Sequence, residues 1–160
     1  MAEPGEIARA RFGREHPNVL LQSFAIQNLS RDLIERAFAG LRLTPREWGV
    51  LSVLRAFGPQ TPTTLAAFLG MAPTTLSSLI VRLSERRLVR RKQNPEDGRS
   101  YLLEVTSTGG KLLDAAGPRF RAVLEDLNAQ LGDDRETVLD AQEALTQALR
   151  QTLQTSTTSQ

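Results

Sequence analysis

Between Thr44 and Pro73 the chain three times places a proline where a helix would begin, in "LTPREWGVLSVLRAFG", "TPTTLAAFLG" and "MAPTTLSSLIVRLSERRLV". Proline suits the first helical position because its missing N–H would have no partner there. Thr44, with Glu47 three residues on, completes a capping box, and Gly58 and Gly70 supply stops. Each segment then carries an apolar stripe at helical spacing: Val50, Val53, Leu54 and Phe57 in the first, Leu65, Ala66, Phe68 and Leu69 in the second. In the third, Leu76, Leu79, Ile80 and Leu83 fall at i, i+3, i+4 and i+7. Two short helices joined by about three residues that include glycine form either a helix-turn-helix or an αα-hairpin in a generic bundle.

The outward face of the third helix separates the two. It carries Thr74, Thr75, Ser77, Ser78 and Arg82, then Arg86, with almost no acid before Glu85. An ordinary solvated helix more often shows Glu and Lys four apart. Small hydroxyl side chains let a helix approach base edges, and arginine reaches guanine or phosphate. Next come a short strand, Leu88 to Lys92, a turn at Asn94 to Gly98, and alternating residues from Ser100 to Val105 that read as a returning strand. A helix-turn-helix followed by a hairpin is a winged helix. Its charged tip can lie along a DNA backbone, with an arginine in a narrow minor groove.

Charge supports this division. The chain of 160 residues has a net charge of only +2, yet residues 82–101 hold seven basic groups (Arg82, Arg86, Arg87, Arg90, Arg91, Lys92, Arg99) against three acids. Such an excess is the footprint of a polyanion-binding surface, although a solvated charged face gives the same run. With no cysteine and one histidine, the sequence has no thiol chemistry and no multi-histidine metal site. It shows no glycine-rich phosphate loop or paired-acid motif, so no catalytic residue, metal or cofactor is assigned and an enzyme is the least favoured class. No run approaches the 18 or so apolar residues of a spanning helix, and no signal-peptide core is visible, which predicts a cytoplasmic protein without a membrane partner.

Outside the lobe, a helix from Pro17 to Ala39 is expected to end at Gly40. A longer stripe runs through Leu113, Ala116, Phe120, Leu124, Leu127 and Leu131, with a kink expected at Gly117-Pro118. Val138, Leu145, Leu149 and Leu153 mark a last helix. These stripes exceed what the small lobe can cover, and packing against a second copy would bury them. The chain is thus mainly α with a small β-hairpin wing. Its expected parts are a flexible segment 1–16, a helical dimerisation region 17–43 and 106–153, a winged helix-turn-helix lobe 44–105 with its recognition helix at about 73–87 and wing at about 88–105, and a disordered tail 154–160.

The motifs quoted above, with "NPEDGRSYLLEVTSTG" at the wing, resemble the MarR family of bacterial winged-helix regulators over about residues 17–153. Asp97-Gly98-Arg99 is the most specific part. The resemblance implies a homodimer that binds an inverted repeat in double-stranded DNA, and repression released by a small aromatic or phenolic anion. By position, Pro73 to Ser78 and Arg82 match the base-reading helix, with Arg86, Arg90, Arg91 and Lys92 on the flank and wing. Arg99 matches the minor-groove arginine, and Asp97 the acid that holds it. A carboxylate two residues away can orient a guanidinium, while Asp-Gly is also a plain turn former. Two departures stand out. Arg87 occupies a position where the family commonly has glycine, which implies a left-handed arginine, and Ala72 stands where a capping side chain is usual. For an effector, the implied pocket makes Arg14, His16, Phe24, Arg46 and Trp48 candidates, the alternative being core for the aromatics and solvent for Arg14 and His16. A winged-helix module that binds protein rather than DNA is the other functional reading.

Overall fold

The computed structural model describes residues 19–158. Among these residues are six α-helices and one hairpin: α1 Val19–Ala37, α2 Pro45–Phe57, α3 Pro62–Leu69, α4 Pro73–Glu85, β1 Val89–Gln93, β2 Tyr101–Val105, α5 Ser107–Leu131, a 3₁₀ turn Gly132–Asp134, and α6 Arg135–Thr158. One compact unit extends to Phe120 and a second begins at Arg121.

The first unit is built by its caps. Thr44 accepts from the Glu47 N–H while the Glu47 carboxylate accepts from the Thr44 N–H at 2.9 Å, so both halves of the capping box form. Thr61 caps α3 through the Thr64 N–H, and Gly70 ends it at φ +61°. α3 and α4 meet at a bend of 116°, within the range of a helix-turn-helix. Their apolar stripes converge with α2, so that Val50, Leu51, Leu65, Leu76, Leu79, Ile80 and Leu83 form a buried core closed by Leu88, Val89 and Leu103 of the hairpin. The strands pair antiparallel from Val89 opposite Val105 to Gln93 opposite Tyr101, and Gln60 adds an isolated bridge to Leu103.

α4 stops at Glu85, two residues before the expected boundary. Arg87 turns the chain there at φ +55°, the one non-glycine residue with positive φ among those described. The left-handed arginine expected from the sequence is therefore present, and its conformation redirects the chain into the wing. The Thr106 hydroxyl donates to the Arg87 carbonyl at 2.7 Å and accepts from the Gly109 N–H at 3.1 Å, fixing the exit of the turn to the start of α5.

In the second unit, α6 continues to Thr158, into the segment 154–160 where a disordered tail was expected. The hydroxyls of Thr152, Thr155 and Ser156 bond back to carbonyls one turn earlier, which accommodates a polar run within the helix. The helical pattern of α5 is likewise uninterrupted at Pro118. α1 ends at Ala37 rather than Ala39, and Pro17 lies outside the described residues. Among those residues no single helix is long and apolar enough to cross a membrane.

Candidate nucleic-acid interface

The burial of α4 follows its sequence periodicity. Leu76, Leu79, Ile80 and Leu83 are buried, and Thr74, Thr75, Ser77, Ser78 and Arg82 are all exposed on the remaining surface. Ala72 provides no side-chain cap, as its sequence implies, so the first N–H groups of α4 have no side-chain acceptor there.

The wing is shaped by side chains that bond to its own backbone. Asn94 is buried, donates to the Ser100 hydroxyl at 2.7 Å and accepts from the Glu96 N–H at 3.1 Å. Asp97 accepts from the main-chain N–H of Arg99 at 2.9 Å, not from its guanidinium. The orienting ion pair considered for Asp97 therefore gives way to an Asx turn, because a short aspartate reaches the N–H two residues on more readily than an extended arginine head. Arg99 itself is exposed. Along β1, the Arg91 guanidinium lies 4.5 Å from the centre of the Tyr101 ring, Arg90 pairs with Glu104 across the hairpin at 2.8 Å, and Lys92 is exposed.

Arg86 departs from its expected place on the flank. Its guanidinium binds the Glu47 carboxylate at 2.8 Å and donates to the Arg42 carbonyl. Glu47 is buried, and sequence inspection finds only its local capping role. Burial pushes the Glu47 carboxyl up, but hydrogen bonds from the Thr44 N–H and from Arg86, with the charge of Arg86, outweigh this and leave it below the ordinary carboxylate value. A buried carboxylate needs such a partner, and Arg86 is occupied in supplying it.

Of the proposed effector residues, the three that are described, Phe24, Arg46 and Trp48, have different surroundings. Trp48 stacks between Phe38 and Phe120, with ring centres 5.9 and 4.1 Å away, and belongs to the edge of the core. Phe24 is exposed on α1, while Arg14 and His16 lie outside the described residues. Arg46 instead lines a cleft of about 550 Å³ with Arg31, Ile34, Leu69, Met71 and Arg82. Arg31 is already engaged by Asp32 and Glu35. Among the described residues, Arg46 and Arg82 form no ion pair. Of the three arginines, Arg31 and Arg82 were not foreseen as pocket residues, since they reach the cleft from elements far apart in sequence.

A 116° helix pair presenting an exposed polar and basic face, followed directly by a charged antiparallel hairpin, defines a winged helix-turn-helix protein. Residues 43–100 match the family model described as "MarR family". The HTH-type transcriptional repressor NicR of Pseudomonas putida is 32% identical over 84 residues, 52% of this chain and 53% of that protein, so the match spans about half of the relative's length. The transcriptional repressor CouR, solved bound to a 23-mer DNA duplex, is similar with a TM-score of 0.69 and 25% identity, over 91% of this chain and 98% of that one. NadR, solved in complex with 4-hydroxyphenylacetate, has the same fold with a TM-score of 0.73 at 20% identity, over 86% of this chain and 96% of that one. Over residues 43–100 the chain is thus similar to MarR-family regulators.

Proposed function

We propose that the protein is a sequence-specific double-stranded DNA-binding transcriptional regulator, acting as a homodimer on an inverted repeat and repressing until a small aromatic anion releases it. The observation that carries the reading is the outer face of α4, small and hydroxylated at its N-terminal half and basic at Arg82, in the same compact unit as the exposed Arg91, Lys92 and Arg99 of the wing. The exposed apolar side chains of α1, among them Leu20, Phe24 and Leu29, support a second copy as the partner of that helix, and Leu124, Leu127 and Leu139 do so for the second unit. Two-fold symmetry then places half-sites about 34–36 Å apart.

A gel shift against the DNA upstream of its own gene tests the reading. Binding is expected to weaken steeply with salt. Arg99→Ala is expected to lower affinity about tenfold, as loss of a groove contact worth 1–3 kcal/mol requires. Unchanged affinity in this variant, or salt-insensitive binding, would sink the assignment of the wing. A winged-helix module that binds protein would shift no DNA at all.

The cleft beside α2 supports the release step. Arg46 and Arg82 offer charge and Ile34, Leu69 and Met71 offer apolar wall, a combination that suits an aromatic carboxylate. Arg82 also stands on the outer face of α4, so an anion that engages it there competes with DNA for the same guanidinium. Titration with aromatic acids such as 4-hydroxyphenylacetate is expected to change the fluorescence of Trp48, which follows Arg46 by two residues on α2, and Arg46→Ala is expected to abolish the change. Silence of Trp48 towards every aromatic acid tried would count against an anionic effector.

A further inference from the structure

One residue on the exposed face of α4 does not fit a solvated or purely polar surface. Val81 is 50% exposed. It stands seven residues after Thr74, four after Ser77 and three after Ser78, which places it in line with them on the side opposite the buried stripe of Leu76, Leu79, Ile80 and Leu83. A β-branched side chain is a poor choice for an exposed helix interior on grounds of local stability, since it loses χ1 freedom against the preceding turn. Nor does Val81 join the core or the partly buried residues packed against it. The other exposed apolar side chains of the lobe, Phe57 and Phe68, contact each other with ring centres 5.3 Å apart. Val81 has only hydroxyls before it, Arg82 beside it and Glu85 one turn beyond.

We infer that Val81 is a specificity-determining residue that packs against the C5-methyl group of a thymine in the major groove. This rests on the DNA-binding reading of α4. The thymine methyl is the apolar feature of the major-groove edge, and small apolar side chains recognise it by contact. The hydroxyls of Thr74, Ser77 and Ser78 supply polar readout along the same row, and the arginines of α4 and the wing supply the charge that favours a polyanion over an apolar protein surface as what covers Val81. Glu85 bounds the row, because a carboxylate further along the face is repelled by phosphate. Reading by shape also sets the direction of specificity: a thymine at this position is favoured over cytosine, which has no methyl, and over uracil, which differs from thymine by the methyl alone.

The experiment uses the full chain and duplexes enriched by it from a random-sequence pool, in which each thymine is replaced singly by deoxyuridine. At one symmetric pair of positions the substitution is expected to weaken binding about three- to fivefold per half-site, the effect of withdrawing one buried methyl group. Val81→Ala is expected to fold normally, since the site is exposed and alanine is the better helix former, and to bind the thymine duplex with the affinity that the wild type shows for the uracil duplex. In this variant the uracil substitution is expected to cost nothing further. Equal binding of thymine and uracil duplexes by the wild type at every position would overturn the inference, as would a uracil penalty that persists unchanged in Val81→Ala. Both results leave the DNA-binding reading intact. Enrichment of no duplex would overturn that reading, and the role of Val81 with it.

Discussion

Gly109→Ala is expected to destabilise the fold by about 3 kcal/mol, the upper part of the range for overpacking a filled site. A Cβ added at Gly109 would stand well inside van der Waals contact of the Leu88 carbonyl oxygen and 2.9 Å from Cγ2 of Val105. The first neighbour is backbone and cannot rotate away. That carbonyl also accepts from the Thr106 N–H at 3.0 Å, at the point where the chain leaves α4 for the wing. Relief would therefore have to come from separating the start of α5 from the start of β1, with loss of the Thr106 bonds to Arg87 and Leu88. Gly110→Ala provides the control. Nothing lies within 4 Å of a Cβ there, and the residue is helical. Replacement of this glycine is expected to be neutral or to stabilise by up to about 1 kcal/mol. Urea unfolding followed by Trp48 fluorescence measures both, and equal midpoints for the two variants would show that the close approach at Gly109 is not filled.

Features decided within a few residues were the ones legible in the sequence. The capping box at Thr44 and Glu47, the proline starts of α2, α3 and α4 and the glycine stop at Gly70 depend on spacings of one to four residues, and the chain forms each of them. The left-handed conformation of Arg87 was legible by another route, the resemblance, which puts a glycine at that position. Asp97 shows where local reasoning divides. Its carboxylate has two acceptable donors two residues away, and only the folded turn selects the N–H over the guanidinium. The end of α6 shows another limit, because polar composition predicts disorder only while the hydroxyls lack backbone partners. The cleft was least legible. Arg46 and Trp48 lie two residues apart, but one faces the cleft and the other an aromatic stack, and Arg82 arrives from a helix whose outer face had already accounted for it.

Arg86 and Glu47 are separated by 39 residues, and their pairing is a tertiary fact that no local pattern contains. Arg86→Ala is expected to cost about 3 kcal/mol near neutral pH, because it leaves a carboxylate that is 5% exposed without its cationic partner. The dependence on pH identifies the cause. In the wild type the folded carboxyl is held below its ordinary value of 4.5, so its contribution is fully present above that pH and is lost as the pH falls through the folded value. Without Arg86, the burial that pushes the carboxyl up loses its strongest opponent apart from the Thr44 cap, and protonation becomes less costly to the folded state. The difference in unfolding free energy between wild type and Arg86→Ala should therefore shrink as the pH is lowered below about 4.5, whereas loss of packing alone would leave it constant. Glu47→Gln, which keeps the shape and an acceptor for the Thr44 N–H but removes the titrating charge, should show a smaller loss near neutral pH that also shrinks as the pH falls, because the wild-type contribution it lacks is itself lost there. The pair also separates a strut from a phosphate contact. If Arg86 holds the end of α4 against α2, its removal weakens DNA binding while the slope of affinity against salt is unchanged; a phosphate contact would lower that slope by about one unit. A reduced slope in Arg86→Ala would return the residue to the interface, and an unchanged slope with lost affinity would place it behind the interface, setting the angle at which α4 meets the groove.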